Sequence, residues 1–293
     1  MALLFQQIIN ALSIGGIYAL MSVGYALIYS LLRFTNFAHS VAVTFGSYAI
    51  YVALTHVTNN FYLGMMFGVL IGAATALIIE IAAYKPLLTK NSARSSLTII
   101  GLGISTIGMN MIILTFSSRF KAIPSNFGGR SIQILGAYLS VIDIVIIAVC
   151  LVMLLGVLLF INKTRMGLAI RAASFDLDSA ALMGVNIQKM LSTIFLIAGA
   201  MAGIAGVLIA TKYQAYPSLA ATMTNKSFIS SVVGGLGSLA GAVVGSFVLS
   251  TGEVMIAGYF SSELRDLFSY GLLIFVLLVR PYGLMGKRFD DKA

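Results

Sequence analysis

The sequence predicts an all-α, polytopic transmembrane helical bundle of about eight spans. Three observations carry that prediction. Of 293 residues, 59% are hydrophobic and 9% are charged, where a soluble domain has roughly 25% charged residues. Mean hydropathy is +1.01, and the apolar residues fall into runs near the roughly 20 residues a spanning helix needs. The 29 glycines, with no tryptophan, suit helices whose backbones pack closely in lipid.

Taken in order, spans are expected at 8–32, 37–54, 63–83, 97–116, 137–161, 191–210 and 268–279. The first run begins near Leu3, has no basic n-region and is longer than a signal-peptide core. Residues 228–257 are too long for one upright span, and Gly234, Gly235 and Gly237 interrupt them early. They predict a broken or re-entrant element: a half-helix at 226–233, a glycine-rich break, then a helix over 238–257. Counted once, that element brings the total to eight.

Basic residues set the expected orientation. Arg33, Lys85, Lys90, Arg94, Lys163, Arg165, Arg171, Lys189, Arg280, Lys287, Arg288 and Lys292 fall in one set of loops. Arg119, Lys121, Arg130, Lys212, Lys226 and Arg265 fall in the other. Twelve against six assigns the first set to the cytoplasm, with the N-terminus outside and the C-terminus inside if the broken element returns to the outer face. The net charge of +9 does not indicate nucleic acid, because the cations stand singly between apolar runs.

Two segments depart from simple spans. Residues 35–40 are polar at the mouth of the second span. Residues 162–190 are longer and more charged than a helix–helix turn requires. Residues 36–48 and 225–235 both start polar and turn small and apolar, entering from opposite sides. That pattern would make an inverted-topology repeat; two unrelated Gly- and Ser-bearing membrane segments would look alike too. Their polar and small residues are the candidates for a substrate path: Asn36, His39, Thr44 and Gly46 in the first, Ser231, Gly235 and Ser238 in the second. For His39 the plainer role is to brace the helix break. Glu253 is expected to pair with Lys212, Lys226 or Arg265, and Asp143 and Glu80 to reach toward the membrane surface. Gly64, Gly68 and Gly72, then Gly237, Gly241 and Gly245, and the pair Gly199 and Gly203, form helix-packing ridges.

In the long loop, Asp178 is placed to N-cap a short helix that Gly184 ends. The small residues Ser179, Ala180 and Ala181 between them would let such a helix seat in a groove on a soluble partner; an ordinary cytoplasmic loop has the same spacing. No catalytic, metal or cofactor site is expected. The chain has two histidines and one cysteine, no clustered His, Asp or Glu, and no Gly-x-x-x-x-Gly-Lys-Ser/Thr phosphate loop.

Asp178-Ser-Ala, three residues and Gly184 look like a degenerate form of the Glu-Ala-Ala-x-x-x-Gly loop of ABC importer permeases, with Asp-Ser in place of Glu-Ala. Asn36-Phe-Ala-His-Ser, Thr164-Arg-Met-Gly-Leu-Ala-Ile-Arg-Ala, Gly234-Gly-Leu-Gly-Ser and Arg280-Pro-Tyr-Gly-Leu-Met-Gly286 narrow the match. Together they resemble the LivH-type permeases of branched-chain amino-acid ABC importers, over essentially the whole chain. The resemblance implies one permease domain, 1–293, whose loop 162–190 couples it to an ATPase. It implies a second homologous permease subunit, two cytoplasmic ABC ATPases, a periplasmic or extracellular amino-acid-binding protein, and a bacterial inner membrane. Arg165 and Arg171 would then tie the loop to the membrane edge or to acidic groups on the ATPase. A urea or amide permease of the same family and a stand-alone secondary transporter or channel are the alternatives.

Overall fold

The computed structural model describes residues 2–90, 92–124, 131–134 and 137–286. Arg130, Lys287, Arg288 and Lys292, used above for orientation, lie outside the described residues. The elements are α1 (Ala2–Leu32), α2 (His39–Val52), α3 (Phe61–Ile79), α4 (Lys85–Thr89), α5 (Arg94–Phe116), β1 (Ser131–Ile134), β2 (Ala137–Ser140), α6 (Val141–Lys163), α7 (Arg165–Phe175), α8 (Leu177–Leu182), α9 (Ile187–Tyr213), α10 (Leu219–Gly234), α11 (Leu239–Tyr259) and α12 (Leu264–Val279). A π turn extends α2 over Ala53–Val57, and another joins α3 to α4 over Glu80–Tyr84.

Seven described helical segments are long and apolar enough to cross a membrane: α1, α2 with its π turn, α3 through α4, α5, α6, α9 and α11. α10 and α12 have 16 residues each, about 24 Å at 1.5 Å per residue. The element expected as one broken span is therefore a helical hairpin. α10 starts at Leu219, ahead of the expected half-helix, and packs antiparallel on α11: Gly234 lies against Gly241, and Gly245 against the Ser230 carbonyl. The turn between them needs Gly235 at φ +113° and Gly237 at φ +83°, values that non-glycine residues rarely adopt.

α1 occupies the centre. Over its apolar 18-residue stretch 94% is buried, whereas the matching stretches of α3 through α4, α5 and α6 are 28%, 22% and 28% buried and present apolar side chains outward, as lipid-facing helices do. α2, α3 and α9 meet on a glycine seam. A Cβ added to Gly46 would come within 2.7 Å of the Gly203 Cα, and one on Gly203 would come as close to the Gly68 carbonyl oxygen. The ridges at 64–72 and 199–203 thus do the packing expected of them. Gly241 and Gly245 do the same for α10 on α11, while Gly237 serves the turn.

The chain between α1 and α2 re-enters the bundle. Arg33 turns the backbone with φ +52°, and residues 34–38 run inward without helix. The His39 ring lies against Gly24 of α1, about 12 Å from the end of that helix at 1.5 Å per residue. Non-helical backbone is tolerated at such depth only where protein encloses it. Here Phe34, Asn36 and Ala38 are buried, and the Tyr84 hydroxyl donates to Asn36 Oδ1 at 2.7 Å. The π turn at Glu80–Tyr84 buries both its end residues on this side.

Two expectations about charges are corrected. Asp143 and Glu80 do not reach the membrane surface. Asp143 is 6% exposed and pairs with Lys212 at 2.6 Å. Glu80 is 1% exposed and accepts from the Ser192 hydroxyl at 3.0 Å. Each sits on the packed stripe of its helix, where no route to water is open. Glu253 takes one of its expected partners, Lys226, at 2.8 Å. Because Lys212 and Lys226 are held in internal ion pairs, they are not loop charges, and the asymmetry in basic loops is sharper than twelve to six.

Candidate functional site

Two regions bear on function. The first is the α7–α8 loop, at the bundle end that also carries Arg33 and the α10–α11 turn. Thr164 N-caps α7, accepting from the Gly167 amide at 3.0 Å. α8 begins one residue before Asp178, and its cap is Asp176, whose Oδ1 accepts from the amides of Asp178 and Ser179, both at 3.0 Å. The expected cap at Asp178 is thus displaced. Aspartates at both 176 and 178 leave the sequence pattern ambiguous; Asp176 has the extended backbone a cap needs (φ −152°, ψ 113°), while Asp178 lies inside the helix. Gly184 stands just past the helix at φ +87°, as expected of the residue that ends it.

α7 is braced by two arginines. Arg171 Nη1 donates to the Ile161 carbonyl at the end of α6, and Arg33 Nη2 donates to the Ser174 carbonyl at 3.1 Å. Arg171 thus holds the loop to its own chain, and Arg165 is exposed. Ala180 packs inward, while Ser179 and Ala181 face out. The sequence reading missed the residues beside them. Phe175 is 76% exposed, and Leu182 and Met183 are 86% exposed each. In so apolar a chain, three more apolar residues send no signal until the fold places them outside the spans.

The second region lies where α1, α2 and α10 meet. The Tyr25 ring is 5.7 Å edge-on from His39 and 6.0 Å from Phe228, and Phe37 is 5.9 Å from Phe228. The two polar-to-small segments therefore meet through Phe37 and Phe228. The buried hydroxyls of Tyr25, Thr224, Ser230 and Ser231 and His39 Nε2 have no hydrogen-bond partner among the described residues. The His39 ring thus does not brace the break through Nε2; the Tyr84–Asn36 hydrogen bond does that. Thr44 donates back to the Ser40 carbonyl at 2.9 Å. The remaining candidates have packing and turn duties. Gly46 lies on the glycine seam. Gly235 lies at the bundle end, against Gly286 and the Tyr282 carbonyl. Ser238 N-caps α11, accepting from the Gly241 amide at 3.1 Å.

Among the described residues, no group of three or more His, Cys, Asp or Glu side chains could hold a metal ion. Residues 7–277 match the family model described as the permease component of branched-chain amino acid transport systems. The chain is 34% identical to the high-affinity branched-chain amino acid transport system permease protein LivH of Salmonella typhimurium, over 98% of this chain and 97% of that one. LivH of Escherichia coli K12 gives the same values. BraD of Pseudomonas aeruginosa, a permease protein of the same description, is 32% identical over the same shares. Among solved structures, PsaBC from Streptococcus pneumoniae in complex with Fab superposes with a TM-score of 0.50 at 14% identity, covering 96% of this chain and 93% of that one. That likeness concerns the fold.

Proposed function

The chain belongs to the family of branched-chain amino acid transport permeases, and from that premise we propose that it is the membrane subunit of an ATP-driven importer of branched-chain amino acids. The observation that carries the reading is near end-to-end identity of 34% with LivH proteins. The α7–α8 loop supports it: Arg33 and Arg171 brace α7, the short capped helix α8 follows it directly, and Phe175, Leu182 and Met183 are exposed. Such an element can transmit force from a soluble partner, because it is rigid on the membrane side and apolar on the free side. In this reading the partner is one of two cytoplasmic ABC ATPases. A second homologous permease and an external amino-acid-binding protein complete the assembly, in a bacterial inner membrane. The unpartnered polar groups of Tyr25, His39, Ser230 and Ser231 then belong to the substrate path, where water or solute can satisfy them.

Reconstituted with its ATPases and binding protein, the importer is expected to accumulate leucine, isoleucine and valine only with ATP inside. Uptake of urea in their place, or uptake driven by an ion gradient without ATP, would overturn the reading. Orientation is tested in intact cells. Cys150 is 2% exposed, so an impermeant thiol reagent leaves the native chain unlabelled. A cysteine at Asn59 should be labelled, and one at Phe175 should be protected until the cells are opened. The reverse pattern would invert the assignment.

A further inference from the structure

We infer that the bundle end opposite α7 and α8 holds a binding site for the carboxylate of an apolar α-amino acid, with Arg265 as its cation. The inference takes its solute class from the transport reading; the cation and cavity stand on the geometry. Two lysines near this end already have anions. Lys212 meets Asp143 at 2.6 Å, and Lys226 meets Glu253 at 2.8 Å and Asp266 at 2.6 Å. Arg265, in the first turn of α12, forms no ion pair among the described residues, and its Nε is sealed from solvent without a hydrogen-bond partner. A buried donor left without an acceptor is unfavourable. A guanidinium offers five N–H donors in a planar fork that fits a carboxylate.

Arg265 lines two cavities, of about 240 and 260 Å³, which share Ile14, Tyr213 and Arg265 itself. Each is smaller than the roughly 300–1,000 Å³ of a drug-sized pocket, which suits a solute of amino-acid size. Their chemistry divides on either side of the cation. The first carries the side-chain amides of Gln7 and Asn10 and the hydroxyl of Ser262, acceptors for an ammonium group; Lys212 also lines it, its charge countered by Asp143 at 2.6 Å. The second is walled by Ile17, Ile209, Leu219 and Met223, an apolar lining for an aliphatic side chain. Tyr18 also lines this cavity, and its hydroxyl donates to Glu253 Oε2 at 3.0 Å. Carboxylate, ammonium and branched chain thus each find a matching surface, with Arg265 at the junction.

The test uses the full chain in phosphatidylcholine nanodiscs and measures binding of tritiated leucine. Isocaproate, which keeps the carboxylate and the branched chain, should displace it. Isoamylamine, which lacks the carboxylate, should not. Arg265→Gln should weaken binding at least tenfold, and Arg265→Lys less. Met223→Phe keeps the cation and shortens the apolar cavity, so it should shift preference from leucine toward alanine. Leucine binding by Arg265→Gln equal to wild type, or none by wild type, would overturn the inference. So would a finding that Arg265 serves only to stabilise the chain against heat when phosphatidylglycerol is added, which would make it a lipid-headgroup anchor. Failure here is separable from failure of the transport reading. ATP-driven leucine uptake without direct binding removes the site and leaves the importer. Binding without uptake removes the importer and leaves the site.

Discussion

Leu182→Asp combined with Met183→Asp abolishes ATP-driven uptake while the permease still folds and inserts. Both side chains are 86% exposed on a loop outside the spans, so the folded chain loses little when they become polar. In the proposed assembly they are buried against the ATPase, and a carboxylate buried without a partner costs several kcal/mol. Each factor of ten in affinity is about 1.4 kcal/mol, so docking weakens by about 100-fold or more. Ala181→Glu, one residue earlier on the same free face, should act in the same direction. Ala180→Glu is the contrast. Ala180 is 6% exposed and packs into the bundle, so its replacement should damage the permease itself. The measurements are ATPase stimulation by the loaded binding protein and co-purification of the ATPase. Wild-type values for the Leu182/Met183 double variant would sink the coupling role of α8. Loss of membrane insertion in that variant would show instead that the two side chains rest in lipid.

The difference between Ala180 and Leu182 marks how far the sequence could be read. Spans follow from apolar runs, since only a helix hides its backbone in lipid, and α1, α3, α5, α6 and α9 lie where those runs place them. The glycine ridges were legible for the same reason: close approach leaves no room for a Cβ. What escaped depends on direction rather than composition. In a chain this apolar the hydrophobic period is weak, because lipid-facing and core-facing positions carry the same residue types. Nothing in the sequence around Asp143 or Glu80 says that each faces inward. The inward run over 34–38 shows in the sequence only as a polar interruption, because Tyr84, whose hydroxyl holds Asn36, comes from a π turn distant in the chain. At positions 46 and 235, both candidates for the path, glycine also serves a helix contact and a turn. The cation at Arg265 looked like one more loop charge, and only the pairing of its neighbours sets it apart.

Lys226→Met should cost the folded permease about 3–5 kcal/mol, the usual penalty for breaking a buried ion pair by removing one partner. Lys226 and Glu253 have side chains 6% and 1% exposed and lie 2.8 Å apart. Without the lysine, Glu253 keeps two hydroxyl donors, Tyr18 at 3.0 Å and Ser269, which cannot neutralise its charge. Asp266 also contacts Lys226 at 2.6 Å, but its side chain is 70% exposed, so water replaces the lost partner. The penalty therefore belongs to Glu253, and Lys226→Met with Glu253→Gln should recover most of it, because the amide is neutral, its oxygen accepts from one hydroxyl and its NH2 donates to the other. The network joins α1, α10, α11 and α12, so its loss should loosen the outer half of the α10–α11 hairpin first. Cys150 supplies the readout. It lies buried in α6, and a thiol-reactive dye reports its exposure as the protein is heated. The expected order of labelling midpoints is wild type highest, the double variant next and Lys226→Met lowest. A double variant no more stable than Lys226→Met would show that Lys226 acts through packing or through Asp266, not by neutralising Glu253.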